Sequence, residues 1–132
     1  MTINFFEQGD IPQPPDKVKF ELLEATPYEE GWRIGVTVHV TPFQKRPNLE
    51  IALFRKEDNK PVAHLSIIET MHPKMEFTMH LRGVDEPAGD YVLKAALFFR
   101  EIEEVTQELP TNIHPTDIKQ VDVTIEPKGE TG

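Results

Sequence analysis

The sequence predicts an all-β protein, namely a seven-stranded antiparallel sandwich with an extended N-terminal arm. First, apolar and polar residues alternate along seven stretches of the chain, as they do in strands with one buried face. Second, the 12 prolines fall outside the interiors of these stretches, where a residue without a backbone N–H would interrupt the ladder. Third, no helical pattern separates the first six stretches, which disfavours a parallel βαβ architecture.

The alternation also assigns a face to the residues of each strand. The fourth stretch, residues 62–69, has no certain phase because two sets of apolar residues compete within it. The stretch from Pro87 to Phe99 is the longest, and we expect it to be the central strand of the sandwich. For every strand except the fourth, the alternation predicts which residues face the core. In chain order they are Val18, Phe20 and Leu22; Trp32, Ile34, Val36, Val38 and Val40; Leu49, Ile51 and Leu53; Met75, Phe77, Met79 and Leu81; Tyr91, Leu93, Ala95, Leu97 and Phe99; and Val121, Val123 and Ile125.

The chain outside the strands divides into an arm, a tail and one ambiguous segment. The arm has an apolar tip with Ile3, Phe5 and Phe6, and the prolines that follow enforce an extended path. Residues 101–116 have apolar residues at helical spacing, but they suit a long hairpin arm equally well. The predicted organisation is residues 1–16 as the proline-rich arm, residues 17–126 as the β-sandwich domain and residues 127–132 as a flexible tail.

Composition narrows the classes of function. The net charge of −9 makes the nucleic-acid backbone and anionic membrane surfaces unfavourable partners. The chain has no cysteine, which removes disulfides, thiolate metal sites and cysteine nucleophiles together. The stretch from Met1 to Glu7 has neither the basic residues nor the long apolar core of a secretory signal. We therefore expect a cytoplasmic protein that binds neither nucleic acid nor membrane.

The segment from Pro87 to Leu97 carries a recognisable feature. A Gly-Asp pair precedes Tyr91, and a regular strand follows. This arrangement resembles the sixth strand of immunoglobulin-like and fibronectin-type-III-like sandwiches, in which a tyrosine hydroxyl bonds back to the preceding corner. The resemblance covers residues 17–126 and implies an immunoglobulin-like fold, in which Tyr91 forms a tyrosine corner with the backbone of residues 83–86. It implies no specific function.

The third and sixth strands carry apolar residues on the side that faces away from the core. A sheet face that meets only water is normally polar, and a contiguous exposed apolar patch usually marks an interface. Three covers are open: the chain's own segments, a second copy of the chain, or an arm exchanged between two protomers. The predicted interface residues are Phe5, Phe6, Ala52, Phe54, Val92, Ala96 and Phe98.

The sequence therefore favours a non-catalytic binding or assembly module that forms a homo-oligomer such as a homodimer. Ser66 is the only serine and has no nucleophile elbow around it, and the glycines form no phosphate loop. We therefore expect neither an enzyme nor a cofactor. One alternative is a carbohydrate- or small-ligand-binding module that uses aromatic platforms. The other is copper binding through Met71 and His72, since thioether and imidazole suit Cu(I), although no complete metal site is predicted.

Overall fold

The computed structural model describes residues 11–99 and 115–127, and within them the predicted seven-stranded antiparallel sandwich is confirmed. A single 3-10 turn at Pro15–Lys17 precedes the first strand. None of the helical residues described forms a helix long and apolar enough to cross a membrane. The strands are β1 (Phe20–Pro27), β2 (Arg33–Val40), β3 (Asn48–Arg55), β4 (Lys60–Ile67), β5 (Lys74–His80), β6 (Gly89–Phe98) and β7 (Asp117–Ile125).

The strands form two sheets that share one hydrophobic core. The first sheet has the order β1-β2-β5 and the second the order β4-β3-β6-β7, with antiparallel pairing throughout. Full burial of a valine, leucine or isoleucine side chain stabilises a fold by roughly 1.5–3 kcal/mol, so this core dominates stability. Its most deeply buried side chains include Ile34, Val36 and Val38 of β2, Leu49, Ile51 and Leu53 of β3, and Tyr91, Leu93 and Leu97 of β6.

The segment predicted to be the central strand is an interior strand of the larger sheet. β6 lies between β3 and β7 and pairs with both along most of its length. Tyr91, Leu93, Ala95 and Leu97 point inward and are buried, as the alternation predicts. The outward positions of β6 therefore alternate with core residues that fix them in place.

β1 departs from the predicted phase because it contains a β-bulge. Phe20 pairs with Val40, whereas Leu22 pairs with the adjacent residue of β2, so Glu21 is an extra residue in β1. The alternation resets at this point. Leu23 is buried in the core, and the prediction that Leu22 shares the inner face is wrong because Leu22 lies outside the core cluster.

A second bulge explains why the phase of β4 was uncertain. Leu53 pairs with Ala63 and Phe54 pairs with Pro61, so Val62 is an extra residue of β4 that has no partner in β3. Members of both competing sets reach the core for this reason, although Ile68, which shares the phase of Val62, is 61% exposed. They are Val62 at the bulge and Ala63, Leu65 and Ile67 beyond it.

The prediction that Trp32 faces the core is wrong. Trp32 precedes β2, lies in the β1–β2 turn directly after Gly31, and is 39% exposed. Gly31 has φ +84°, a conformation that breaks the strand alternation on which the prediction depended. The backbone of Trp32 nevertheless belongs to the fold, since its carbonyl accepts a 2.9 Å hydrogen bond from the N–H of Leu81.

Three segments lie outside the described residues, namely 1–10, 100–114 and 128–132. They include the apolar tip of the arm and nearly all of residues 101–116. The choice between helix and hairpin there, and the predicted boundaries of the arm and tail, therefore stay predictions.

Candidate functional site

The predicted interface residues on β3 and β6 lie together on the outer face, which is the side of the β4-β3-β6-β7 sheet that points away from the core. Phe54 is opposite Val92 across the strand pair, and Ala96 is opposite Glu50. None of the apolar residues on this face belongs to the core cluster. Val92 and Phe98 are 8% and 6% exposed. Ala52, Phe54 and Ala96 are partly exposed.

The register adds Ile118 of β7, which the sequence analysis did not single out. Ile118 pairs with Ala96 and is 63% exposed, so it extends the outer face to the sheet edge. The alternation of β7 in the sequence could have identified Ile118 as an outward residue. Because Val121 and Val123 face inward, the even-numbered residues of β7 face outward, and an isoleucine at 118 has no core to enter.

Charged side chains cover the half of the outer face around Phe54 and Val92. The Nζ of Lys94 lies 4.9 Å from the centroid of the Phe54 ring, within cation–π distance. Lys56 forms a 3.0 Å ion pair with Asp122, and Asp122 is directly opposite Val92. The aliphatic stems of the lysines can shield apolar surface while their heads stay in water. This half of the face thus already has partners within the chain.

The other half of the outer face combines Ala96, Phe98 and Ile118 with a polar border on β3 and β4. In that border the Oγ of Ser66 donates a 2.7 Å hydrogen bond to Glu50. This half lies where β6 ends and β7 begins. Ile118, at 63%, is the most exposed of the apolar side chains described on the face, whereas Phe98 beside it is buried at 6%.

The polar border does not form a nucleophile–base pair. A serine nucleophile needs a base such as imidazole hydrogen-bonded to its hydroxyl. Here the Ser66 hydroxyl bonds to the Glu50 carboxylate, and the Nε2 of His64 lies on that carboxylate, 3.4 Å from Oε2. The carboxylate separates the imidazole from the serine, so the arrangement supplies hydrogen bonds rather than catalysis.

The hydroxyl of Tyr91 bonds back to the loop before β6, as in a tyrosine corner, but its acceptor lies outside the predicted range. Its side chain is fully buried and its hydroxyl donates a 2.7 Å hydrogen bond to the carbonyl of Pro87. The predicted acceptor range, residues 83–86, ended one residue short. Burial raises the pKa of the Tyr91 phenol because the charged form loses its water. Tyr91 is therefore a structural residue at the loop before β6.

The ring of Tyr28, beside the three-stranded sheet, already has contacts within the chain. The Tyr28 ring covers Gly35, where an added Cβ would lie 3.6 Å from the ring. The guanidinium of Arg33 lies 4.2 Å from the ring centroid, and Glu30 holds that guanidinium through two hydrogen bonds of 2.7 and 2.9 Å. The Tyr28 hydroxyl is within 3.2 Å of the Thr78 hydroxyl. Tyr28 thus supports a glycine in the sheet rather than offering a free platform.

Met71 and His72 lie side by side in the β4–β5 connection, and both are exposed. Met75 is not available beside them, because the Thr70 hydroxyl donates a 2.8 Å hydrogen bond to its sulfur. Within residues 11–99 and 115–127, no group of three or more His, Cys, Asp or Glu is placed to hold a metal ion. Copper binding by Met71 and His72 stays a prediction, which competition with a Cu(I) chelator tests.

A charged cleft of about 720 Å³ lies between the β3–β4 turn and the β5–β6 connection. Its cations are engaged. Arg55 pairs with Asp58 at 2.7 Å, Lys60 donates a 3.1 Å hydrogen bond to the carbonyl of Gly83, and Lys56 is in the ion pair described above. None of the described residues that line this cleft is a serine, threonine or histidine. Its described lining therefore offers no hydroxyl or imidazole side chain, and its acidic groups are Glu57, Asp85, Glu86 and Asp90.

Comparisons with known proteins support the fold. No protein-family model matches the sequence, and no curated protein matches it. Among solved structures, the chain is similar to a glycosyl hydrolase family 2 member from Bacteroides cellulosilyticus DSM 14838, with a TM-score of 0.50 and 12% identity over 82% of this chain and 15% of that one. It is also similar to the β-glucuronidase of Ruminococcus gnavus, with a TM-score of 0.42 and 11% identity over 83% of this chain and 16% of that one.

At 12% identity the comparison with the Bacteroides cellulosilyticus protein bears on the fold alone. The chain spans about 15% of the length of the first of these glycosyl hydrolases. It is thus an all-β chain with two antiparallel sheets, and its fold is similar to a small part of a much longer protein.

Proposed function

We propose that this chain is a non-catalytic assembly module that forms a homodimer through the outer face of its four-stranded sheet. One observation supports the proposal above the others. Apolar residues occupy outward positions on both central strands, and Ile118 beside them is 63% exposed. Val92 and Phe98 are buried, so the exposed part of this surface consists of Ala52, Phe54, Ala96 and Ile118. Exposed apolar patches are typical of protein–protein interfaces. An isologous dimer would bury the same patch of both copies at once.

Two arrangements of polar groups support the non-catalytic part of the proposal. The Ser66 hydroxyl contacts Glu50 rather than the imidazole of His64. None of the described residues that line the charged cleft beside Arg55 is a serine, threonine or histidine. Acid–base and nucleophilic catalysis both need such groups in mutual contact. Binding is therefore the function that this geometry supports best.

The proposal includes an immunoglobulin-like classification of the sandwich. The hydrogen bond from Tyr91 to the carbonyl of Pro87 supports it, since a tyrosine near the start of the sixth strand that bonds back to the preceding backbone is typical of such domains. The assignment of strands to sheets distinguishes this sandwich from the antibody constant type. The fourth strand joins the third, sixth and seventh, whereas in the antibody constant type it joins the first, second and fifth. Domains of this class often serve as binding modules on larger proteins.

The experiment is the molar mass of the full chain by light scattering. The wild type should reach twice the 15.2 kDa chain mass. Ile118→Asp should weaken association by roughly 30-fold, because loss of an interface anchor costs on the order of 2 kcal/mol. Met71→Asp is the matched control, since Met71 is equally exposed at 63% but lies in the β4–β5 connection. A strictly monomeric wild type would remove the homodimer.

A carbohydrate-binding module is the second candidate. Trp32 is 39% exposed in the β1–β2 turn, and aromatic rings of this kind can stack on sugars. The fold similarity to part of a glycosyl hydrolase family 2 member is compatible with such a role. Trp32 is the only tryptophan, so its fluorescence reports on this turn alone. If titration with neutral oligosaccharides leaves the emission unchanged, the candidate is abandoned.

A further inference from the structure

We propose that the edge of β5 that faces away from β2 binds an extended peptide segment of a partner protein by strand addition. Such a peptide would become a fourth strand of the β1-β2-β5 sheet, held by main-chain hydrogen bonds. This edge belongs to the opposite sheet from the proposed homodimer face, so the inference goes beyond that function and does not depend on it.

Alternate residues of β5 direct their main-chain groups away from β2. The carbonyl of Pro73 accepts a 2.8 Å hydrogen bond from the N–H of Val40, and the N–H of Leu81 donates to the carbonyl of Trp32 at 2.9 Å. Residues 73 and 81 therefore face β2. Since the direction alternates along an antiparallel strand, the odd-numbered residues between them face β2 as well. The N–H and C=O groups that point the other way belong to Lys74, Glu76, Thr78 and His80.

Within the part of the chain that the structure describes, β5 has a strand partner only in β2. Just beyond β5 the N–H of Arg82, another even-numbered residue, donates a 2.8 Å hydrogen bond to the carbonyl of Val62 in β4. This bond agrees with the outward direction of the even-numbered residues. Residues 74–80 thus present a ladder of donors and acceptors with a repeat of about 7 Å. A polypeptide backbone is the ligand that offers complementary groups at that repeat.

β5 lacks the features that interrupt or close the other edges. β4 begins with a lysine and a proline and contains the bulge at Val62, and such features hinder strand addition. The Phe20 N–H of β1 donates a 2.8 Å hydrogen bond to the Asp117 carboxylate of β7, and β1 packs against β7 more extensively than β4 packs against β5. All seven residues of β5 pair with β2 without a register shift, and none is a proline. β5 is therefore the regular edge on the less closely packed side of the sandwich.

Partly exposed core residues beside this edge indicate which side chains the peptide must carry. Met75 and Phe77 of β5, like Leu65 and Ile67 of β4, contact the core but are not fully buried. A strand paired with β5 would direct every second side chain towards these residues, between the two sheets. Aliphatic side chains at those positions would bury apolar surface on both partners. The expected peptide therefore alternates apolar and polar residues.

The outward side chains of β5 favour a peptide of another sequence over a second copy of β5. The antiparallel alignment that pairs all seven residues of two copies places Lys74 opposite His80 and Glu76 opposite Thr78. In that alignment no carboxylate lies opposite a cation. A peptide with acidic residues opposite Lys74 and His80 and a lysine opposite Glu76 would place complementary side chains at all three positions, which favours cross-strand pairing.

Titration of the full chain with the capped peptide Glu-Val-Thr-Val-Lys-Val-Glu, followed by two-dimensional amide NMR, tests the proposal. In antiparallel pairing the threonine of the peptide lies opposite Thr78 and its lysine lies opposite Glu76. We expect the amides of Glu76, Thr78 and His80 to shift most and to exchange more slowly with solvent. If these amides do not respond, or if the shifts map to another surface, the strand addition is wrong.

Two N-methylated forms of this peptide provide a matched control. Methyl groups on the threonine and lysine nitrogens remove donors that face β5, and they should weaken binding by roughly 10-fold or more, as expected for two lost hydrogen bonds. Methyl groups on two of the valine nitrogens, which face away from β5, should weaken it by less than about 3-fold. Equal losses for the two forms would overturn main-chain pairing.

Two measurements without peptide identify other occupants of the edge. Slow exchange of the Glu76, Thr78 and His80 amides in the chain alone would show that another segment already covers β5, and this would overturn the proposal. Shifts of the same amides on dilution would assign the edge to a second copy and overturn it as well. Ile118→Asp alters the opposite sheet, so this variant should bind the peptide with wild-type affinity while its homodimer weakens.

Discussion

Tyr91, a buried tyrosine near the start of β6, shows how one hydroxyl fixes the loop before that strand. Its hydrogen bond to Pro87 is short at 2.7 Å and its ring lies in the core. Tyr91→Phe should lower the free energy of unfolding by about 1–2 kcal/mol, because the partly buried carbonyl of Pro87 loses its donor. Urea unfolding measures this. Tyr28→Phe is the control and should cost less than about 0.5 kcal/mol, since the Tyr28 hydroxyl bond is exposed. Equal costs would contradict the structural role of Tyr91.

The same tyrosine predicts a dependence of stability on alkaline pH. Burial raises the pKa of the Tyr91 phenol, so the folded state keeps the proton to a higher pH than the unfolded chain does. The stabilisation is complete below the ordinary pKa of about 10 and is lost as the pH rises through the folded pKa. Tyr91→Phe should therefore lose less stability than the wild type above that pH. Unfolding curves at several alkaline pH values check this.

An exposed carboxylate in the β3–β4 turn gives a second prediction at this scale. The Arg55 guanidinium holds the pKa of Asp58 at about 2, mainly through its side-chain hydrogen bonds, with a further bond from the N–H of Lys60. Arg55→Lys removes the two-pronged contact, so the pKa of Asp58 should move towards its ordinary value near 4. Carbon-detected NMR titration of the carboxyl measures it. No change would show that the pair does not persist in solution.

At the scale of elements, one buried amide ties three segments together. The Oδ1 of Asn48 accepts a 2.9 Å hydrogen bond from the N–H of Glu69, and its Nδ2 donates to the carbonyl of Phe98 at 3.4 Å. Asn48→Ala should lower the free energy of unfolding by about 1–3 kcal/mol, since buried groups lose their partners. Hydrogen exchange at the Glu69 amide should also become faster. Ser66→Ala, which removes an exposed bond, should change neither quantity appreciably.

Sequence periodicity predicts which segments become strands better than it predicts their phase. The inward residues of β3, β5, β6 and β7 follow the expected alternation. The predicted face of a residue is wrong or uncertain where a single residue is added to one strand. Glu21 and Val62 each lack a partner across the ladder, and only the neighbouring strand reveals that. A bulge has no reliable signature in one strand's own pattern, so Leu22 was given the wrong face.

The pairing of β2 with β5 shows the same limit between strands. In an immunoglobulin-like sandwich the second and fifth strands are expected to be antiparallel neighbours, and the structure confirms this pairing. If the start of one strand pairs with the end of the other, the sequence places Thr37 near Thr78. In the structure Thr37 is opposite Glu76, a shift of two residues. A shift of two keeps every side chain on its own face, so hydrophobic patterning cannot detect it.

At the scale of the whole molecule, the candidate site was only partly predictable. Alternation alone places Ala52, Phe54, Val92, Ala96 and Phe98 on one outer face, and the structure brings them together there. The sequence could not show that Lys94 lies over Phe54 or that Lys56 and Asp122 pair beside Val92, since these contacts join distant segments. The structure thereby narrows the expected binding surface to the half that contains Ile118.

The measurement that tests the homodimer most directly is a dilution series followed by two-dimensional amide NMR of the wild-type chain. Dissociation should shift the amides of the β4-β3-β6-β7 sheet, most of all those of Ala96, Phe98 and Ile118. The amides of the β1-β2-β5 sheet should stay constant and serve as the internal control. Spectra that do not change with concentration, or changes confined to the three-stranded sheet, would contradict assembly through the outer face.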